Sequence, residues 1–271
     1  MESLENIIVE EKATQEIEKA ISDDQNAIPY VPMSKLPRLG TVVPLNLAGE
    51  TLQAQFEFLD DTPDVDQFLV DKLGYTSKLA LSNALSAEQA DAVALAIKQI
   101  EAEKGFILAD MTGTGKGRIC ASVLRYAFVN GYLPIFVTEK DNLFSAIYRD
   151  LVNIGGIETK PGGKMNLGYP LILNGFVSGG VEKTYDEDGK RTITKKASKT
   201  GIVNEDGKEV ITAPKQPEIK SLIASGKLPK RYDYVMLTYS QIAASNDDKS
   251  GGVKKLNYLL NLIEERKGKV I

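Results

Sequence analysis

The chain has 271 residues, a formal net charge of −4, 42% hydrophobic and 26% charged residues, the balance of a globular protein with a sizeable core. It carries no histidine and a single cysteine, Cys120, which excludes His-based triads, His-ligated metals, internal disulfides and cysteine zinc clusters. Its chemistry must use carboxylates, Lys, Arg, hydroxyls, backbone amides or a cation carried in by a substrate.

No run approaches the roughly 18 apolar residues of a membrane helix. The acidic start, Met1-Glu-Ser-Leu-Glu-Asn6, lacks the basic region of a signal peptide. Cytoplasmic residence without a membrane partner is the expectation. Charge is uneven: residues 1–70 hold 14 acids against 4 bases, and residues 160–231 hold 14 bases against 8 acids. The basic second half leaves room for a nucleic-acid partner.

In chain order, residues 1–22 read as an acidic helix with a loose apolar face of Leu4, Ile7, Ile8, Ile17 and Ile21. Pro29, Pro32, Pro37 and Pro44 predict an extended arm over 26–48. Helical spacing resumes from Thr62 to Leu73 through Val65, Phe68 and Leu69, with Gly74 as C-cap. Ser86-Ala-Glu-Gln89 opens a helix with apolar positions Val93, Ile97 and Ile100. Gly105-Phe-Ile-Leu-Ala109 has the look of a buried strand. A helix from Ile119 to Asn130, a strand at Pro134–Thr138 and a helix from Asn142 to Ile154 follow.

Residues 157–230 break this rhythm. Asp188-Gly189 and Asp206-Gly207, each between Thr/Val/Ile-rich flanks, predict two β-hairpins, read as an insertion. The core returns with a strand at Tyr234–Thr238 and a helix from Lys254 to Glu265; Lys269-Val-Ile271 reads as the start of another strand. The alternation predicts an α/β fold with a parallel sheet. The expected division is an acidic arm over 1–80 and an α/β lobe over 81–271.

The stretch Asp110-Met-Thr-Gly-Thr-Gly-Lys-Gly-Arg118 matches the spacing of a phosphate loop, with Asp in place of the first Gly. Glycines let backbone amides turn toward phosphate oxygens, and the next helix offers a positive N-terminus. The candidate nucleotide-binding set is Asp110, Met111, Thr112, Gly113, Thr114, Gly115, Lys116, Gly117 and Arg118, with Lys116 also the candidate catalytic cation. Gly117 stands where Ser or Thr would bind Mg²⁺, so one metal ligand is missing. A Gly-rich turn capping an ordinary helix would leave the same sequence. Cys120 is expected as a small buried residue.

The Gly115-Lys-Gly-Arg118 ending, preceded by Gly-Phe-Ile-Leu-Ala-Asp110 and followed by Pro134-Ile-Phe-Val-Thr-Glu-Lys140 and Asn142-Leu-Phe, resembles the strawberry-notch-like ATPases of the superfamily-2 helicases. It looks most like phage and plasmid members found in antirestriction-type proteins. Tyr30-Val-Pro-Met-Ser-Lys35, Asp71-Lys-Leu-Gly-Tyr75 and Leu85-Ser-Ala-Glu-Gln89 agree. The resemblance covers roughly residues 28–160 and 232–242, and not the hairpins.

The resemblance implies a RecA-like P-loop motor lobe using ATP and Mg²⁺ on nucleic acid, DNA being the expected track. By position it implies that Gln89 reads adenine, although Ser86-x-x-Gln89 is equally a capping box. It implies that Thr138 and Thr238-Tyr239-Ser240 touch the nucleic-acid backbone. Such motors also need an Asp-Glu pair, an arginine finger and a second lobe. No apolar strand followed by Asp-Glu occurs after Lys116, so the expectation is an N-terminal fragment that lacks its own metal-holding acids and does not hydrolyse ATP alone. Two other classes stay open: a packaged phage interaction module whose N-terminal arm docks protein partners, and a small-molecule kinase or GTPase.

Overall fold

A computed structural model describes residues 26–109, 113–157, 167–177, 181–185, 190–196, 198–243 and 252–271. The expected helix at 1–22, the loop residues Asp110, Met111 and Thr112, and the Asp188-Gly189 turn lie outside these residues. The chain forms two compact units, Met1–Tyr126 and Ala127–Ile271. The arm that the sequence sets apart therefore shares a unit with the segment through Tyr126.

In the first unit, β1 (Ala27–Pro29) pairs antiparallel with β2 (Val42–Pro44). The helices are α1 (Ala48–Asp61), α2 (Val65–Leu73), α3 (Lys78–Ser82), α4 (Ala87–Glu101) and α5 (Lys116–Val129), the last crossing the boundary. Asp64 caps α2 by accepting from the Gln67 amide, and Gly74 ends it at φ 67°, where a Cβ would be strained. The capping box at α4 is present, with Ser86 and Gln89 bonding each other's backbone; such caps stabilise a helix by about 1 kcal/mol.

Between β1 and β2, Pro32 and Pro37 interrupt the ladder, so the amides of residues 33–40 need outside acceptors. Three carboxylates supply them. Asp91, fully buried in α4, accepts from the Tyr30 hydroxyl at 2.8 Å and the Met33 and Ser34 amides at 2.7 and 2.9 Å. Asp66 accepts from the Ser34 hydroxyl at 2.6 Å and the Lys35 amide. Glu88 takes the Leu39 and Gly40 amides. Burial pushes the Asp91 carboxyl above the usual carboxylate value, and its bonds to Tyr30, Met33 and Ser34 pull part of the way back.

Arg125 is buried in α5, donates to the Leu73 and Gly74 carbonyls and stacks 3.8 Å from the centre of the Tyr75 ring. This accounts for the Asp71-Lys-Leu-Gly-Tyr75 stretch: a helix end, a left-handed glycine, and a ring that covers the cation satisfying the orphan carbonyls.

The second unit is built on a parallel sheet of β3 (Ile135–Thr138), β9 (Tyr234–Thr238) and β4 (Pro170–Ile172), in the order β3-β9-β4. The helices α6 (Leu143–Asn153), α7 (Gln216–Ser225) and α8 (Gly252–Glu265) accompany it. With a period of two, Val235 and Leu237 face one side. There they join Leu171, Leu173, Ile219, Leu222, Tyr258, Leu259 and Leu262 in one core, each large side chain contributing about 1.5–3 kcal/mol. Tyr234, Met236 and Thr238 take the other side. Among the described residues, the Tyr234 hydroxyl is the buried side-chain group with no hydrogen-bond partner. Burial, with Tyr148 and Asp233 beside it, pushes its pKa far up.

Both predicted hairpins form: β5 (Val181–Tyr185) with β6 (Arg191–Lys195), and β7 (Ile202–Val203) with β8 (Glu209–Ile211). The segment 157–230 is more than an insertion, because it also supplies β4 and α7 to the core. Pro170 is tolerated at the start of an edge strand, and Pro217 in the first turn of a helix. Val270 bridges Leu133 in parallel, in keeping with the strand expected at Lys269–Ile271.

The expected strand at Gly105–Ala109 is not one. Residues 104–109 have no regular structure and Ile107 is 89% exposed. Apolar sequence makes a strand only when a second strand takes up its amides and carbonyls, and among the described residues none pairs with this run. Cys120 is exposed, not buried, on the narrow open side of a helix whose residues Ile119, Ala121, Ser122 and Leu124 are all buried.

Candidate functional site

In the first unit the loop ends in two glycines with positive φ, Gly113 at 96° and Gly115 at 80°. These angles turn the chain sharply into α5 at Lys116. The Arg118 amide bonds the Gly115 carbonyl at 2.9 Å, closing the first turn. The first turn of a helix carries amides that the i→i−4 ladder does not use, and the helix dipole favours an anion beside them. Lys116 and Gly117 are half-buried.

Gln89 sits directly under this turn. Its Nε2 donates to the Thr114 carbonyl at 2.9 Å, while its Oε1 accepts the Ser86 amide at 3.1 Å. A Cβ on Gly115 would overlap the Gln89 amide group, so glycine is required there for space as well as for φ. Gln89 thus ties the loop to the start of α4, with its amide engaged at both ends. Arg118 sends Nη1 to the Ala84 carbonyl at 3.1 Å, anchoring α5 to the turn before α4.

These residues fit a phosphate chain: two glycines with positive φ, a helix N-terminus and a lysine at its first position. Gly117 has no hydroxyl, and no group of three or more Asp, Glu, Cys or His lies together among the described residues.

In the second unit the candidates Thr138 and Thr238 are direct register partners at the carboxyl ends of β3 and β9, 7% and 3% exposed. Ser240 Oγ lies 2.9 Å from Thr238 Oγ1, and Tyr239 between them is 58% exposed. Sequence reasoning missed Asn174, which follows β4. Its Oδ1 accepts the Thr238 amide and its Nδ2 donates to Thr238 Oγ1, both at 3.0 Å. Lys255, buried in α8, donates to Gln241 Oε1. Asn174-Gly175 after the apolar triplet Leu171–Leu173 was the available signal of a strand end. The carboxyl edge of a parallel sheet is where ligands of α/β proteins sit.

A family model described as P-loop containing NTP hydrolase pore-1 matches residues 63–200, just over half of the chain. The chain belongs to this P-loop NTP hydrolase family. The match runs from the start of α2 through the loop, β3, α6, β4 and the first hairpin, so the family shares part of the segment 157–230. A search of curated proteins and a search of solved structures each found no match. No helix of the chain, among the described residues, is long and apolar enough to cross a membrane.

Proposed function

We propose that this NTP hydrolase is part of an ATP-driven motor that moves along nucleic acid, of the strawberry-notch-like branch of the superfamily-2 helicases and of phage or plasmid origin. The observation that carries the reading is the meeting of Thr138 with Thr238 at one sheet edge. Neutral hydroxyls on a rigid carboxyl edge suit sequence-independent phosphate contacts, and the basic second half adds salt-sensitive attraction.

In this reading Lys116 and the loop amides hold the ATP phosphates. Gln89 supports the loop, and the adenine contact falls to the second N–H of its amide. Mg²⁺ bound with the nucleotide would neutralise phosphate charge. The chain's own residues hold and orient the phosphates and grip the track. An interaction module remains the second reading, favoured by exposed Leu52 and Phe56 at helical spacing on α1.

The test is Lys116→Ala in the 271-residue chain, read by titration of a fluorescent ATP analogue and, separately, of single-stranded DNA. Loss of charge-assisted phosphate bonds lowers ATP affinity by about 10- to 100-fold, while DNA binding persists. Unchanged ATP affinity defeats the nucleotide reading of the loop; absence of DNA binding defeats the track.

A further inference from the structure

Beside the edge strand β4 lies a cavity of about 480 Å³ that neither the loop nor the Thr238 cluster uses. Its walls are Tyr169, Tyr232, Arg231, Glu218, Lys215 and the turn at 212–214. We infer that this cavity is a base-binding subsite for single-stranded nucleic acid, an inference that rests on the nucleic-acid reading above.

The first argument is the chemistry of the walls. The Tyr169 and Tyr232 rings stand 6.1 Å apart, tilted by 39°, and the Arg231 guanidinium lies 4.7 Å over the Tyr232 ring. Arg231 also donates to the Tyr232 hydroxyl at 2.8 Å and pairs with Glu218. That network fixes one ring as a wall. Tyr169 is 46% exposed and offers its ring to a guest. The exposed Tyr169 ring, backed by the buried Tyr232 ring and flanked by a planar cation, is the kind of stacking surface that unpaired bases use, whatever their identity.

Charge is the second argument. Glu218 offsets Arg231, and Lys215 adds a further cation at the N-cap of α7, where no side chain caps the helix. The positive helix end and Lys215 together favour a phosphate at the mouth of the cavity. A flat apolar guest carrying a phosphate is a nucleotide unit.

The third argument is continuity with the Thr238 cluster. Asn174, which holds Thr238 by two bonds, has its own carbonyl bonded by Gln216 at the start of α7 at 3.5 Å. The neighbouring Pro214 carbonyl accepts the Phe176 amide at 2.7 Å. Residues 174–176 therefore join the sheet edge directly to the cavity wall, and the exposed Phe176 lies along the way. Lys215 and the turn at 212–214 lie beside the carboxyl end of β4, and Tyr169 beside its amino end, so a single strand that runs along β4 from the Thr238 cluster would meet Lys215 first and Tyr169 beyond it. Only an unpaired base can lay its face on these rings, which selects single strands over duplex.

The experiment measures anisotropy of a fluorescein-labelled oligothymidylate and of an abasic strand of equal length with the 271-residue chain. The wild-type chain binds the oligothymidylate more tightly than the abasic strand. Tyr169→Ala weakens the oligothymidylate by about 5- to 100-fold and leaves the abasic strand unchanged. Tyr169→Phe restores binding, and Lys215→Gln lowers the slope of log K against log salt by about 1.

The Tyr169 backbone amide, which bonds Asp233 at 2.9 Å, survives these changes, and matched thermal melts check folding. Equal binding of both strands by wild type and Tyr169→Ala overturns the subsite while leaving the track reading intact. Equal loss for both strands also overturns it. Binding of neither strand by the wild-type chain fails the nucleic-acid reading itself, and the subsite with it.

Discussion

In the first unit, the arm and the turn before α5 are held by ionisable and polar side chains that reach backbone groups; in the second, the Thr238 cluster sits at the end of an apolar sheet. Asp91, Asp66 and Glu88 hold the arm at Tyr30–Gly40, and Gln89 holds the turn at Thr114. In the second unit Val235 and Leu237 anchor β9 within a core of aliphatic and tyrosine side chains. There the Thr238 cluster is bonded only through neutral groups, the amide of Asn174 and the hydroxyl of Ser240. The hold on the arm depends on protonation and the bonds within the Thr238 cluster do not, so changes of pH and single substitutions should separate the arm from that cluster.

The largest effect is expected at Asp91. Asp91→Ala leaves the Tyr30 hydroxyl and two amides without an acceptor, at a cost of about 3 kcal/mol, read by urea denaturation. The pH dependence has a definite sign. The folded carboxyl titrates above the ordinary 3.8, so in the window just above 3.8 the folded chain keeps a proton that the unfolded chain has lost. The Asp91 contribution is therefore full below 3.8 and declines as pH rises through the raised value. The gap between wild type and Asp91→Ala should narrow from acid toward neutral pH; a gap that widens would refute this assignment.

The next effect is at the loop. Gly115→Ala strains a residue at φ 80° and displaces the Gln89 amide. An αL penalty of about 1–2 kcal/mol predicts a loss of ATP affinity of about tenfold, with affinity for single-stranded DNA unchanged. A variant that binds ATP normally shows that the Gln89 contact does not shape the cradle.

The smallest effect has the opposite direction. Tyr234→Phe removes a hydroxyl buried without a partner and should stabilise the second unit by about 1 kcal/mol. A rise in midpoint with an unchanged denaturant slope checks it. Destabilisation would mean that the hydroxyl has a partner in the folded protein.

The legible parts of the fold were those written in consecutive residues. Gly74 as a helix end, Ser86-x-x-Gln89 as a capping box and Asp206-Gly207 as a turn were all readable, because backbone angles and first-turn amides depend on near neighbours. The strands at Ile135–Thr138 and Tyr234–Thr238 were readable as apolar runs. Gly105–Ala109 has the same composition and forms no strand, since a ladder needs a partner that composition does not specify. Pro170–Ile172 was too short to announce itself.

By itself, then, the sequence determined the glycine spacing, the lysine and the helix start of the phosphate loop, and with them the family. Only the tertiary structure decided that Thr138 lies beside Thr238, that Asn174 clamps Thr238 from 64 residues away, and that Tyr169 packs beside Tyr232 in the wall of one cavity. A turn is fixed by φ angles that each residue type permits or forbids. A cluster assembled from three strands is fixed by their order in the sheet, which follows from burying one common apolar face and leaves no short-range mark in the chain.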